Sequence, residues 1–291
     1  MKSYCIKNDS INFPARLKRL HGMPASLYVK GCLPDEHKKS VAIVGARKCS
    51  SYGRQTAYMF AKVLAENGIQ IISGLAFGID SYAHKGCLEG GGKTFAVLGC
   101  GIDLCYPKSN SRLYNDILNT DGGILSEYEG DSPPYAYHFP VRNRIISALA
   151  DAVIIIEARV KSGSLITASY ALDQGVPLYC VPGRIFDTLS SGTNALIADG
   201  AIPALSPETI LYDFGLIGQK KEEEAPPLLD SNLSVFEKKI YKFLLSDPKT
   251  LDNICELTGS DTITVSEALL MLELNGHIYQ PSPGLYSPSY R

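Results

Sequence analysis

Val41 to Arg47 reads V-A-I-V-G-A-R, Ile71 to Asp80 reads I-I-S-G-L-A-F-G-I-D, and Phe95 to Gly101 reads F-A-V-L-G-C-G. Each is an apolar run closed by a glycine, and segments of helical period separate them, which is the pattern of βαβ units in a parallel sheet. Right-handed crossovers point all three strands the same way. Their glycine turns then share one rim, outside the carboxyl ends of the strands, where open α/β sheets bind ligands.

The alternation continues outward. Ser51 to Asn67 predicts a helix with Ala57, Phe60, Ala61 and Leu64 on one face, stopped by Gly68. Strands are expected at Ile124 to Tyr128, Ala152 to Glu157, Val176 to Val181 and Ile202 to Leu205, with helices at Pro140 to Ala150, Ser164 to Gln174 and Gly192 to Asp199. The V-I-I-I run is apolar throughout, as in a strand covered on both faces. The simplest fold is a doubly wound α/β sheet of seven strands over 41–214. Residues 1–40 hold too little apolar sequence for a core and read as an extension packed on that sheet. Residues 215–234, with K-K-E-E-E and A-P-P, read as an exposed linker. Over 235–291, three helical patterns and two short extended pieces joined by P-S-P-G give a winged-helix arrangement.

At 291 residues and net charge -2, the chain has no bulk cationic surface, so a polyanion must be held by a local basic patch. The eight cysteines form no C-x-x-C pair and read as small hydrophobes of a reducing cytosol; no metal and no cofactor is expected. Without an apolar run of membrane length or a signal-peptide core, the chain is expected to be cytoplasmic, away from membranes.

Glycines at strand-to-helix turns leave backbone amides open to an anion, although a single one reads equally well as a plain tight turn. Gly45, Gly74, Gly99 and Gly101 with Ser162-Gly163-Ser164 make several such turns along one rim. Basic residues recur beside them: Arg47, Lys48 and Arg54, then Lys108 and Arg112, Arg142 and Arg144, and Arg159 and Lys161. One cluster suits a mononucleotide; several in series suit a nucleic-acid strand. In P-P-Y-A-Y-H-F-P, core packing is the reading for at least half of the aromatics Tyr135, Tyr137, His138 and Phe139, and Phe139 is the one expected to meet an unstacked base. Nucleophile elbows, nucleotide phosphate loops and zinc-protease helices are absent. His84 reads as a packing or helix-surface residue, and Asp80, Asp103 and Glu157 as carboxylates that cap helices or orient arginines rather than catalyse.

As a set, V-G-A-R, S-G-L-A-F-G-I-D, A-V-L-G-C-G-I-D-L-C-Y-P-K-S-N, F-P-V-R-N-R-I-I-S-A-L, S-G-S-L-I-T-A, V-P-G and G-T-N-A-L-I-A-D-G-A resemble the DprA (Smf) family of bacterial DNA-processing proteins. The resemblance runs in order from about Pro14 to Leu211. It implies an extended Rossmann-like fold that binds single-stranded DNA without cleaving it, forms a homodimer and loads the RecA recombinase during natural transformation. By motif it assigns Arg47 to phosphate, Lys108 to a basic groove, and Phe139, Arg142, Asn143 and Arg144 to a base pocket. Ser162, Gly163, Ser164 and Thr167 would add amide and hydroxyl donors.

Three departures accompany it. The first motif is usually G-S-R, so Gly45-Ala46-Arg47 lacks a hydroxyl. The N-terminal helical domain of many relatives is expected to be missing. Thr250 to Gly276, which holds the would-be recognition helix, carries Asp252, Glu256, Asp261, Glu267 and Glu273 and no Lys or Arg, which predicts a protein-contact role. The rival reading is a Rossmann-like nucleotide phosphoribohydrolase. Such enzymes typically show P-G-G-x-G-T-x-x-E, whereas Val181-Pro182-Gly183-Arg184 meets G-T-N only at Gly192 and no glutamate is in place. A third reading is a dimeric scaffold that meets DNA only incidentally.

Overall fold

The computed structural model describes residues 2–217 and 233–289, and it divides into two compact units, Met1–Gln219 and Lys220–Arg291. The expected linker over 215–234 lies mostly outside the described residues.

In the first unit, β1 (Tyr4–Lys7), α1 (Ala15–Lys18) and β2 (Ser26–Gly31) precede β3 (Ser40–Val44), α2 (Ser51–Glu66), β4 (Gln70–Ser73), α3 (Ile79–Glu89) and β5 (Thr94–Gly101). Then come α4 (Ser111–Asn119), β6 (Gly123–Tyr128), α5 (His138–Ala148), β7 (Ala152–Ile155), α6 (Gly163–Asp173), β8 (Leu178–Cys180), α7 (Ser191–Ala198), β9 (Ile202–Pro203) and α8 (Pro207–Asp213). The strands form one sheet in the order β1-β2-β6-β5-β4-β3-β7-β8-β9. Strands β3 to β9 pair in parallel, while β1 with β2 and β2 with β6 are antiparallel.

The period of two decides what each layer holds. Ala42, Val44, Val153 and Ile155 face α5 and α6, burying Ile145, Ile146, Leu149, Ala168 and Ala171. Their neighbours Val41, Ile43, Ala152, Ile154 and Ile156 face α2 and α3, against Phe60, Leu64, Ile79 and Ala83. Each valine, leucine, isoleucine or phenylalanine among them, fully buried, contributes about 1.5–3 kcal/mol. Helix α2 opens at Ser50, whose Oγ accepts the Gly53 amide at 2.9 Å, and is followed by Gly68 at φ +79°, as the sequence predicted.

Two expectations change. The sheet has nine strands rather than seven, because β1 and β2 join it instead of merely packing on it. Leu27 and Val29 alternate inward from β2 and are fully buried, so the strand closes the β6 edge that would otherwise expose unpaired amides. Helix α5 starts at His138, earlier than Pro140; a proline is tolerated in a first turn, where amides lack intrahelical partners.

Chain order reverses at β3. From it the sheet grows through β4, β5 and β6 on one side and through β7, β8 and β9 on the other. The gap between the carboxyl ends of β3 and β7 is therefore the switch point where such sheets open a crevice.

The second unit has α9 (Val235–Ser246), β10 (Lys249–Thr250), α10 (Leu251–Thr258), α11 (Thr262–Leu274), β11 (Ile278–Ser282) and β12 (Leu285–Pro288), with sheet order β10-β12-β11. Reciprocal capping boxes at Ser234 with Glu237 and Thr250 with Asn253 start α9 and α10, and Asp261 caps α11. Ile240, Leu244, Ile254, Val265, Leu269, Leu272 and Ile278 close its core, giving a winged-helix domain.

Candidate nucleic-acid interface

A cleft of about 640 Å³ opens at the switch point. Gly45 to Lys48 after β3, Arg159 to Ser164 around the start of α6, and Pro134 to Asn143 along the start of α5 supply most of its walls. Its lining holds five basic side chains, Arg47, Lys48, Arg142, Arg159 and Lys161, against one carboxylate, Asp80. Among the described residues, Arg47, Lys48, Arg159 and Lys161 are exposed and enter no ion pair. Local excess of this kind gives a chain of slightly negative net charge a locally positive surface.

Phe139 stands half-buried among those cations. The Arg47 guanidinium lies over its ring at 5.2 Å from the centroid, that of Arg142 at 5.9 Å, and Tyr106 packs at 5.6 Å with a 41° tilt. Only a glycine allows this placement, because a Cβ at Gly99 would lie 2.8 Å from the Phe139 ring. Across the cleft, Ser162 caps α6, accepting the Ser164 amide, and Ser162 Oγ lies 2.7 Å from Ser164 Oγ. That helix terminus presents amides and a positive dipole end beside Lys161, a ready anion site.

Beneath the cleft the polar groups hold one another. Arg142, 4% exposed, donates to the carbonyls of Gly74 (3.0 Å) and Val97, and its Nε reaches Asn143 Oδ1 at 3.2 Å. Asp80 accepts the Gly74 amide at 3.1 Å. Burial pushes the Asp80 carboxyl up, opposed by Arg142, and the same burial pulls the Arg142 guanidinium down to about 10, still cationic at neutral pH. Glu157 accepts the Ser50 amide at 2.9 Å and the Ser50 hydroxyl, tying the loop after β3 to the end of β7. His84 is a packing residue. Its Nδ1 lies 2.7 Å from Thr94 Oγ1, whose own proton goes to the Ile71 carbonyl, so Nδ1 carries the hydrogen. Burial, with help from Arg142, lowers its pKa to about 3 and keeps it neutral.

The structure brings ten of the fifteen residues expected from sequence to the cleft wall: Gly45, Arg47, Phe139, Arg142, Asn143, Lys161, Ser162, Gly163, Ser164 and Thr167. The other five stand elsewhere. Gly74 and Gly101 have engaged amides, to Asp80 and to the Ser132 carbonyl (2.8 Å), so neither offers a donor to a ligand. Gly99 makes room for Phe139. Arg144 is bound to Glu127 at 2.6 Å with both side chains largely buried, while Lys108 is exposed two residues past the cleft-lining Tyr106. Within R-N-R, Arg142 reaches the floor, Asn143 donates to Gly163 O at 3.3 Å, and Arg144 leaves the cleft altogether. Tyr106 also belongs to the wall, although the sequence marks it only as an aromatic two residues before Lys108. Of the other cations flanking the turns, Arg54 contacts Ser51 and Arg112 pairs with Asp116.

In the second unit the exposed face of α11 has opposite character. Ile263, Leu270, Met271 and Leu274 are exposed on it together with Glu267. Among the described residues no helix is long and apolar enough to cross a membrane, and no His, Cys, Asp or Glu cluster is arranged to hold a metal.

Comparison with known proteins bears on both units. The sequence profile of DNA recombination-mediator protein A matches residues 4–215, and that of the DprA winged helix domain matches 223–282. Protein Smf of Escherichia coli is 38% identical over 281 residues, spanning 94% of this chain and 75% of its own length. DNA processing protein DprA of Streptococcus pneumoniae is 42% identical over 212 residues, or 73% and 74% of the two chains. The crystal structure of the pneumococcal protein superposes with a TM-score of 0.69 at 40% identity, over 73% of this chain and 74% of that one. DNA processing protein A from Helicobacter pylori, whose structure was described for its single-stranded DNA binding mode, superposes with a TM-score of 0.65 at 33% identity, over 73% and 95%.

Proposed function

The chain belongs to the DNA recombination-mediator protein A family, DprA/Smf, and from that membership we propose that it binds single-stranded DNA in the cleft at the β3/β7 switch point. Bound there, the strand is protected and passed to the RecA recombinase during transformation or recombination, with the protein working as a homodimer. One observation carries the reading: four exposed cations that enter no ion pair among the described residues share the cleft with an aromatic ring that a glycine and two guanidinium groups hold at its wall. Cations arrayed over several elements suit phosphates in series. An accessible aromatic face suits an unstacked base, which a duplex conceals.

Support against a hydrolase comes from the carboxylates. Asp80 holds the Gly74 amide, Glu157 holds Ser50, and Asp103 pairs with Lys30 at 2.6 Å, so each has a structural partner and none stands free to act as a general base.

Fluorescence anisotropy with a labelled oligothymidine and with its duplex tests the reading. Wild type is expected to bind the single strand more tightly than the duplex, and Arg47→Ala to lose about tenfold or more, because both a phosphate contact and the cation over Phe139 go. Equal affinity of wild type and Arg47→Ala would overturn it.

A further inference from the structure

The loop Pro133 to His138 is the cleft's aromatic wall, and only part of it faces the cleft. Pro134 and Ala136 line the cavity, as do Phe139 and Pro140. Tyr135 and Tyr137, which alternate with them, are 49% and 64% exposed and stack on each other, with centroids 5.7 Å apart and planes within 11°. Buried His138 meets both rings edge-on, at 5.3 and 4.5 Å, and itself stacks on Tyr128 at 3.7 Å. Backbone bonds from Tyr135 N to Pro133 O and from His138 N to Tyr135 O fix the turn. Neither phenol has a hydrogen-bond partner among the described residues. Two large rings are thus held rigid and bare, an arrangement that core packing does not require.

We propose that Tyr137, backed by Tyr135, is a second base-stacking station for the single strand that occupies the cleft; the inference rests on the function proposed above. Spacing supports it. Tyr137 and Phe139 are two positions apart, so their Cα atoms are at most about 7 Å apart, close enough for one strand leaving the cleft to meet both. Charge supports stacking rather than phosphate contact. The turn just before the loop carries the exposed acids Glu129 and Asp131, and among the described residues no cation stacks on either tyrosine ring. A neutral π-face attracts a base whatever its identity, so the station adds affinity without sequence preference.

The test uses the full chain and a short oligothymidine just long enough for full affinity, carrying one abasic residue moved along it. Wild type is expected to show two sensitive positions. Phe139→Ala abolishes one and Tyr137→Ala the other. Tyr137→Ala lowers affinity for the intact oligothymidine about fivefold or more at an unchanged salt slope, and Tyr137→Phe, which keeps the ring, restores it. A single sensitive position, lost in Phe139→Ala, with Tyr137→Ala binding like wild type, would overturn the second station and leave the cleft reading intact. Failure of wild type to bind any oligothymidine would overturn both.

Discussion

The switch-point cleft and the exposed face of α11 occupy positions where their respective folds often meet nucleic acid, yet their side chains differ in kind. At the cleft, Arg47, Lys48, Arg159 and Lys161 are exposed, enter no ion pair among the described residues and line the same walls as Phe139, with Asp80 the lone carboxylate there. On α11, Ile263, Leu270, Met271 and Leu274 are exposed beside Glu267, and Thr250 to Gly276 contains no Lys or Arg. On the proposed function, a phosphate chain brought to the first would release counterions and gain an aromatic contact, whereas at the second it would meet repulsion and apolar surface. Fold position supplies a place for a site, and the residues there decide its ligand. For the winged-helix domain this leaves the role we propose for it, contact with protein rather than DNA.

The comparison is broken most severely by Phe139→Ala. Loss of one base stack costs about 1–3 kcal/mol, a fall in affinity of about 5- to 150-fold, read by anisotropy on oligothymidine. Phe139 carries no charge, so the salt slope stays where it was. A variant binding like wild type would reduce the cleft to its charges. The smallest effect is expected at the other region. Removing residues 218–291 should change affinity for the single strand by no more than about twofold, under about 0.5 kcal/mol. A loss of most affinity in that shortened chain, with its thermal unfolding unchanged, would move DNA contact to the winged helix and refute the protein-contact role.

Much of this contrast is legible in the sequence. Apolar runs closed by glycines are local signals, and they are enough to place β3 to β9. The acid bias of Thr250 to Gly276 needed only counting. What stayed hidden depends on contacts between distant segments. Ser26 to Gly31 is a short alternating run, and only the bare edge of β6 makes it a strand. Gly74 and Gly101 look like ligand-facing glycines in sequence, but Asp80 and Ser132 reach their amides first. Arg142, Asn143 and Arg144 are consecutive and so project in different directions from α5, which no motif reading separates. In sequence Gly99 reads as a donor to ligand, whereas its missing Cβ is what admits Phe139.

The central claim, that free cations at the switch point hold a phosphate chain, is tested most directly by the salt dependence of oligothymidine binding in wild type and Arg47→Ala. Each phosphate neutralised contributes about -0.7 to the slope of log affinity against log salt. Engagement of Arg47, Lys48, Arg159 and Lys161 therefore predicts about -2.8 for wild type, falling in magnitude by about 0.7 in the variant. A slope near zero, or the same slope in both proteins, would contradict the account and leave the cleft without its proposed ligand.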